Sequence, residues 1–387
     1  MKPIVRAGRM KPVHSDIRGP LFVESMKRQK QGIDILKLNT GNPATFGFGL
    51  PDSIKNALME HMQDGVGYCD FKGMPQARQA ICDYETSKGI KGITPDDVFI
   101  GNGVSEVVSF ALTPLLNDGD EVLVPSPSYS LWGNSVYLED GKPVFYTCDE
   151  QANWYPDIQD IRSKITDKTK AIVIINPNNP TGVLYPKELL LEIIQIARES
   201  GLLIFADEIY DRLVMDGKQH ISLASLTEDV PVITLNGLSK SHCLCGYRCG
   251  WMVISGPREL TEDYRQGIIQ LTSLRLCANT MAQIVIPAAL DDMETPASMV
   301  RPGGRIYEQR EATVRELEKI DGLSFVKNDA AFYVFPKLDV KKFNITNDKQ
   351  FAHDLLDVTN ILLFPEVDST GKIRITSVSS CFRRQIS

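Results

Sequence analysis

Ala171-Ile172-Val173-Ile174-Ile175-Asn176-Pro177-Asn178-Asn179-Pro180-Thr181-Gly182 decides how this chain folds. Its first five residues are apolar on both faces of an extended segment, the pattern of a parallel strand buried between two layers. The remaining seven form a rigid polar loop, with two prolines and three asparagines. A plain turn does not need so many side-chain amides. Similar apolar runs lie on either side, at Val98–Ile100, Glu121–Val124, Leu202–Ala206, Val232–Leu235 and Trp251–Ile254. Helical patterns join them. Pro186 suits a first helical position, Leu189, Leu190, Ile193, Ile194 and Ala197 recur at helical spacing, and Gly201 stops the run. Strands alternating with helices predict an α/β fold, with a mostly parallel sheet covered on both faces. In such sheets ligands bind beyond the carboxyl ends of the strands.

The chain has 387 residues, more than one hydrophobic core usually organises, so two domains are expected. From about Arg305 the alternation changes. A charged amphipathic helix over Arg305–Ile320 precedes short strands at Ser324–Lys327 and Phe332–Phe335. A helix near Lys349–Val358 leads to strands near Ile361–Phe364 and Lys372–Thr376. The expectation is a large domain over 46–295, a smaller α+β domain over 296–387, and an N-terminal segment, 1–45, packed on the smaller one. No repeat or low-complexity linker separates them.

The formal net charge of -7, without a basic tract, argues against nucleic acid as a partner. The first residues, Met1-Lys2-Pro3-Ile4-Val5-Arg6, lead into no apolar run, so a signal peptide is not expected. No stretch approaches the roughly 18 apolar residues that span a bilayer. Eight scattered cysteines read as reduced thiols in a cytoplasmic protein.

The polar motifs fall where the strands end. Val98–Ile100 runs into Gly101-Asn102-Gly103-Val104-Ser105-Glu106, then a helical pattern. Glycines permit a tight turn, and a helix N-terminus offers free N–H groups, which together make a phosphate cradle. Any strand-to-helix turn favours the same residues, so this motif alone decides nothing. Leu202–Ala206 runs into Asp207-Glu208-Ile209-Tyr210. A carboxylate closing a wholly apolar strand is costly to bury unless a cation, such as a protonated pyridine nitrogen, pairs with it. A helix N-cap is the plainer use of Asp207, and the two are compatible. Val232–Leu235 runs into Asn236-Gly237-Leu238-Ser239-Lys240, with Arg248 eight residues on. A solvated lysine is the ordinary reading. At the mouth of this sheet edge, however, a lysine with a lowered pKa can form a Schiff base. Arg248 suits a dianionic phosphate by its fork geometry.

Taken together, Asn176-Pro177-Asn178-Asn179-Pro180-Thr181-Gly182, Ala206-Asp207-Glu208-Ile209-Tyr210 and Ser239-Lys240 with Arg248 resemble, in order and spacing, the class I (fold-type I) pyridoxal-phosphate aminotransferases. Asp16-Ile17-Arg18-Gly19-Pro20, Leu38-Asn39-Thr40-Gly41-Asn42-Pro43, Gly67-Tyr68-Cys69-Asp70 and Arg275-Leu276-Cys277-Ala278-Asn279 point, within that family, to the bacterial glutamate–pyruvate (alanine) aminotransferases. The resemblance covers nearly the whole chain. It implies pyridoxal 5′-phosphate held by Lys240 as a Schiff base, with Lys240 also the proton shuttle. It implies Asp207 on the pyridine nitrogen, Tyr210 and Asn179 on the phenolic oxygen, and Tyr129 stacked on the ring. Gly103, Val104, Ser105, Ser239 and Arg248 would hold the phosphate. Tyr68 would reach the phosphate of a neighbouring subunit in a homodimer. Arg374 would grip the substrate carboxylate, with Gly41 and Asn179 closing over it. The implied reaction is ping-pong transfer of an amino group, with alanine and 2-oxoglutarate the leading pair.

Two regions depart from the pattern. Ser241-His242-Cys243-Leu244-Cys245-Gly246-Tyr247-Arg248-Cys249 holds potential zinc ligands, but their spacing matches no common zinc pattern, and no metal is expected. The loop Phe364-Pro365-Glu366-Val367-Asp368-Ser369-Thr370-Gly371 is short for the family, and Ser380-Cys381-Phe382-Arg383-Arg384-Gln385-Ile386-Ser387 shows no helical pattern, so a shortened small domain is one expectation. Three further readings stay open from sequence: an aminotransferase for another amino acid such as aspartate, a C–S lyase on the same fold, and a non-catalytic binding protein.

Overall fold

The structure, a computed structural model, describes residues 2–14, 19–39, 41–367 and 373–378, the side chains of 364–367 and 373–378 excepted. Its centre is an eight-stranded sheet. In chain order the strands are β1 (Val98–Asn102), β2 (Glu121–Ser126), β3 (Lys142–Asp149), β4 (Tyr155–Pro156), β5 (Thr169–Ile175), β6 (Leu203–Asp207), β7 (Val232–Gly237) and β8 (Cys249–Ser255). Across the sheet their order is β1-β8-β7-β6-β5-β2-β3-β4. β7, β6, β5, β2 and β3 pair in parallel. β8 is antiparallel to both β1 and β7, and β4 is antiparallel to β3.

All six strands expected from apolar runs are present. β3 and β4 were not expected, because β3 alternates buried and exposed positions and so offers no continuous apolar run. Within the central strands, neighbouring residues serve opposite cores. Ile172, Ile174, Ile204 and Ala206 enter one cluster with Leu190, Ile193, Ile194 and Ala197. Ala171, Val173, Ile175, Leu203 and Phe205 enter another with Val107, Val108, Ala111 and Trp132 on the far face. The period of two in side-chain direction is what makes such runs apolar throughout. Each fully buried Ile or Leu contributes about 1.5–3 kcal/mol.

The helices that position the site are α1 (Pro75–Ser87), α2 (Val104–Leu112), α3 (Leu131–Leu138), α4 (Lys187–Ser200) and α5 (Leu238–Ser241). Pro186 is the N-cap of α4 and not its first residue, and Gly201 closes it at φ +64°.

Toward the C-terminus the helix expected to reach Ile320 ends at Leu317. The expected strand Ser324–Lys327 is reduced to Leu323–Ser324. Just beyond it, Asp329 and Ala330 donate their N–H groups to Gly182 O, at 3.0 and 2.9 Å, so the chain bonds to the Asn–Pro loop. β9 (Tyr333–Val334) pairs antiparallel with β10 (Ile373–Val378), the strand that contains Arg374. Leu36–Lys37 pairs in parallel with Ile361–Leu362. Leu21 and Ile35 pack with Ala352, Leu356 and Leu362, and Arg28 ion-pairs with Asp357. No single helix among the described residues is long and apolar enough to cross a membrane.

Candidate active site

β5, β6 and β7 end at one edge of the sheet. β8 runs the other way, so Arg248, immediately before it, arrives at that same edge. The strand register places Gly250 of β8 opposite Gly101 of β1 and Gly237 of β7. A Cβ on Gly250 would lie 2.4 Å from the Val104 amide nitrogen. Glycine there allows β8 to pass directly under the start of α2.

The Gly103 turn, where the sequence suggested a phosphate cradle, is a tight strand-to-helix turn. Gly103 caps α2 at φ +85°, a region that L side chains rarely adopt. A Cβ on it would lie 2.3 Å from Arg248 Nη2 and 2.8 Å from Cζ. The guanidinium therefore lies flush against the turn, beside the free amides of Val104 and Ser105 at the helix start. Arg248 has φ +56° and donates through Nη1 to Cys245 O at 3.1 Å. Behind the turn, Glu106 accepts the Asn102 N–H at 2.7 Å and ion-pairs with Arg275 at 2.7 Å.

Lys240 lies in the one-turn helix α5, not in an open loop. Its Nζ donates to Gly41 O at 2.9 Å and stands 5.7 Å from the Phe332 ring centroid. Gly41 is confined: a Cβ would meet Tyr333 Oη at 2.5 Å and Phe332 Cε2 at 2.7 Å. Ser239, next to Lys240, accepts the Cys245 thiol at its carbonyl, 2.9 Å away.

Asp207 is buried at the end of β6. It accepts Trp132 Nε1–H at 3.0 Å and the Ile209 N–H at 3.4 Å. Burial pushes its carboxyl up to about 6, against the lowering effect of the Trp132 hydrogen bond. Among the described residues no ion pair reaches it. Three residues on, the buried Tyr210 hydroxyl is 2.7 Å from that of Tyr333. Burial, then Tyr333, holds the Tyr210 phenol well above its ordinary pKa, so it is protonated at neutral pH and able to donate.

Of the other expected residues, Asn179 is partly buried in the turn beyond β5. Tyr129 is about one-third exposed before α3, near enough to Tyr210 to influence its titration. Tyr68 projects outward at 85 % exposure, away from the rest of the set. Arg374 lies on β10 opposite Lys337 and Glu366, and its side chain is outside the described residues, as are residues 379–387. The zinc-like segment is spent locally. His242 bonds Ser241 Oγ and Asp292 O, and Cys249 is packed in the core.

Three features had escaped the sequence. Trp132 follows no motif, although a buried indole N–H needs an acceptor. Tyr333 lies in a short strand of ordinary apolar pattern. The third is a charged cluster under the strand ends. Lys88, the C-cap of α1, ion-pairs with Glu85, Glu208 and Asp211 at 2.6, 2.8 and 3.2 Å. Asp211 also accepts Asn236 Nδ2–H at 2.7 Å, and Asn236 Oδ1 accepts the Gly237 N–H at 2.7 Å, which fixes the turn leading to Lys240.

The donor set fits a phosphorylated pyridine aldehyde. The Gly103 turn and Arg248 suit a dianion, Asp207 suits a ring cation, and Lys240 lies at the same sheet edge. Comparison with known proteins gives the family. A model of the family "Aminotransferase class I and II" matches residues 33–383. This chain belongs to the class I and II aminotransferases.

Among relatives of this aminotransferase is the glutamate-pyruvate aminotransferase AlaA of Haemophilus influenzae, 49% identical over 94% of this chain and 90% of the relative. The alanine aminotransferase of Mycobacterium tuberculosis is 44% identical over 94% of this chain and 85% of the relative. Among solved structures, an aminotransferase from Escherichia coli superimposes with a TM-score of 0.94 at 45% identity, covering 98% of this chain and 95% of the other. The alanine aminotransferase of Pyrococcus furiosus gives 0.91 at 39% identity, covering 97% and 94%.

Proposed function

We propose that this aminotransferase uses pyridoxal 5′-phosphate to move an amino group between an L-amino acid and a 2-oxo acid, with alanine and 2-oxoglutarate as the working pair. The observation that carries the cofactor is Asp207, a carboxylate buried with no ion pair among the described residues, at the strand edge it shares with Lys240 and the Gly103–Arg248 turn. The substrate pair rests on the alanine and glutamate-pyruvate aminotransferases to which the chain is similar.

When bound, the cofactor supplies a carbonyl for the amino group and an electron-withdrawing ring. The residues do the rest. Arg248, Ser239 and the Gly103, Val104 and Ser105 turn bind the phosphate. Asp207 keeps the ring nitrogen protonated, oriented by Trp132. Tyr210 and Asn179 donate to the ring oxygen, and Tyr129 covers the ring face. Lys240 holds the cofactor, then carries the proton from the substrate Cα. Arg374 grips the carboxylate common to every substrate, with Gly41 and Asn179 closing over it.

The working form is read as a homodimer. Tyr68, Val66, Met62, Leu274 and Leu276 are large, apolar and exposed, and Arg275 Nη2 donates to Phe71 O at 3.0 Å, which brings the segments that carry them together. A second copy covering them would receive Tyr68 at its phosphate. Residues 46–295 are read as the large domain and 296–387 as the small one, with 1–45 against the latter. The free thiols Cys69, Cys82, Cys148, Cys243, Cys245, Cys249 and Cys277 suit a reducing compartment such as the cytoplasm.

Steady-state assay tests the substrates. Purified protein should form pyruvate and glutamate from alanine and 2-oxoglutarate. Failure with that pair, alongside brisk turnover of aspartate, overturns the substrate reading. Absence of any change in the cofactor's visible band on adding amino acids overturns the reaction itself.

A further inference from the structure

Tyr210 has a single hydroxyl proton, and the proposed reaction commits it to the ring oxygen of the cofactor. The role inferred for Tyr333 rests on that assignment. A phenol that donates its proton can still accept one. Tyr333 Oη is 2.7 Å from Tyr210 Oη, and both side chains are buried. The two rings meet edge to face at 81°, with centroids 5.7 Å apart. Phe332 braces both, edge to face with Tyr210 at 5.7 Å and tilted against Tyr333 at 4.9 Å. On the other side Gly41 closes over the hydroxyl, because a Cβ there would come within 2.5 Å of Tyr333 Oη. The carbonyl of the same Gly41 accepts Lys240 Nζ–H at 2.9 Å. The backbone that closes over the Tyr333 hydroxyl is thus the one that meets Lys240. Tyr333 also lies on β9, whose partner β10 contains Arg374.

We propose that Tyr333 is a positioning residue for transamination: its hydroxyl donates to Tyr210 Oη and so directs the Tyr210 proton to the cofactor's ring oxygen. A phenol that accepts a hydrogen bond is a stronger donor, since hydrogen bonds in a chain polarise one another. Negative charge on the ring oxygen is then better stabilised. The neighbouring nitrogen of Lys240 in turn holds its proton less tightly. Without the Tyr333 hydroxyl, that proton is lost at higher pH.

The test is a pH titration of the visible absorbance of the cofactor-loaded protein, for wild type, Tyr333→Phe, Tyr210→Phe and the double variant. Phenylalanine keeps the ring contacts with Phe332 and Tyr210. Tyr333→Phe should raise the midpoint by roughly half a pH unit, the scale of one neutral hydrogen bond. Tyr210→Phe should raise it further. The double variant should match Tyr210→Phe alone, because Tyr333 acts only through that hydroxyl. An unmoved midpoint in Tyr333→Phe, beside a clear shift in Tyr210→Phe, overturns the inference and leaves the role of Tyr210 standing. Equal Tyr333→Phe shifts in both backgrounds also overturn it, since the hydroxyl then acts independently. No shift in Tyr210→Phe removes the assigned role of Tyr210 and the inference together.

Discussion

Asp207 is the residue whose environment says most about the chemistry. Its carboxyl is pushed up to about 6 by burial. Between its ordinary value of 3.8 and about 6 the folded protein holds a proton that the unfolded chain releases. Stability therefore falls as pH rises through that window, and above it the cofactor-free protein carries the full penalty. Asp207→Asn should stabilise the cofactor-free protein at pH 7.5 by on the order of 3 kcal/mol, at about 1.4 kcal/mol per pKa unit, and so raise its thermal midpoint. The gain should vanish near pH 4. Differential scanning calorimetry at both pH values checks this. The same variant should lose at least ~10²-fold in kcat, the scale of a positioned proton-holding group. Lys240→Ala should abolish the cofactor's lysine-linked absorbance band and reduce turnover to background. Both measurements distinguish a catalytic lysine from one that only fills the edge.

At the scale of elements, the strand-to-helix turn at Gly103 and the α1 charge cluster matter most. Gly103→Ala would place a methyl where the Arg248 guanidinium lies, 2.3 Å from Nη2, at a φ of +85°. Displacing an arginine from a phosphate site costs about 1.5–3 kcal/mol, so cofactor affinity should fall roughly 10- to 100-fold. Equilibrium titration of cofactor-free protein would show it. Lys88 is different, because it supports the turns without touching ligand. Burial pushes the Glu85 carboxyl up to about 7. Burial also works against the Asp211 carboxylate, but Lys88, His220 and the Tyr84 hydrogen bond outweigh it and hold that group below its ordinary value. Lys88→Met leaves three buried carboxylates without their ammonium, a loss of about 3–5 kcal/mol. The folded pKa values of Glu85 and Asp211 then rise, so the loss should be greatest above pH 7 and shrink on acidification. Thermal melts at pH 6 and pH 8 separate this from simple loss of packing.

For the whole molecule, the proposed homodimer would make the site a property of two chains, with the exposed Tyr68 reaching the neighbour's phosphate. Mixing Lys240→Ala with Tyr68→Ala protein, after dissociation and reassociation, should restore activity to about a quarter of wild type, since half the dimers are mixed and each has one intact site. No recovery, with mixed dimers demonstrated by mass, removes Tyr68 from the neighbouring site.

The apolar strands and the polar residues at their carboxyl ends were readable along the chain because both are local. A strand buried on two faces must be apolar throughout, and the residue after it is at the edge by connectivity. This sufficed for Asp207, Lys240 and the Gly103 turn. The strand β3 was not readable, because alternate residues along it are buried and the others meet solvent. What only the tertiary structure decided is which distant groups meet those strand ends. The reversed direction of β8 delivers Arg248 to Gly103. Trp132 reaches Asp207 across 75 residues, and Tyr333 reaches Tyr210 across 123. Such contacts leave no period or spacing in sequence, since each is set by packing between elements and not by the geometry of one.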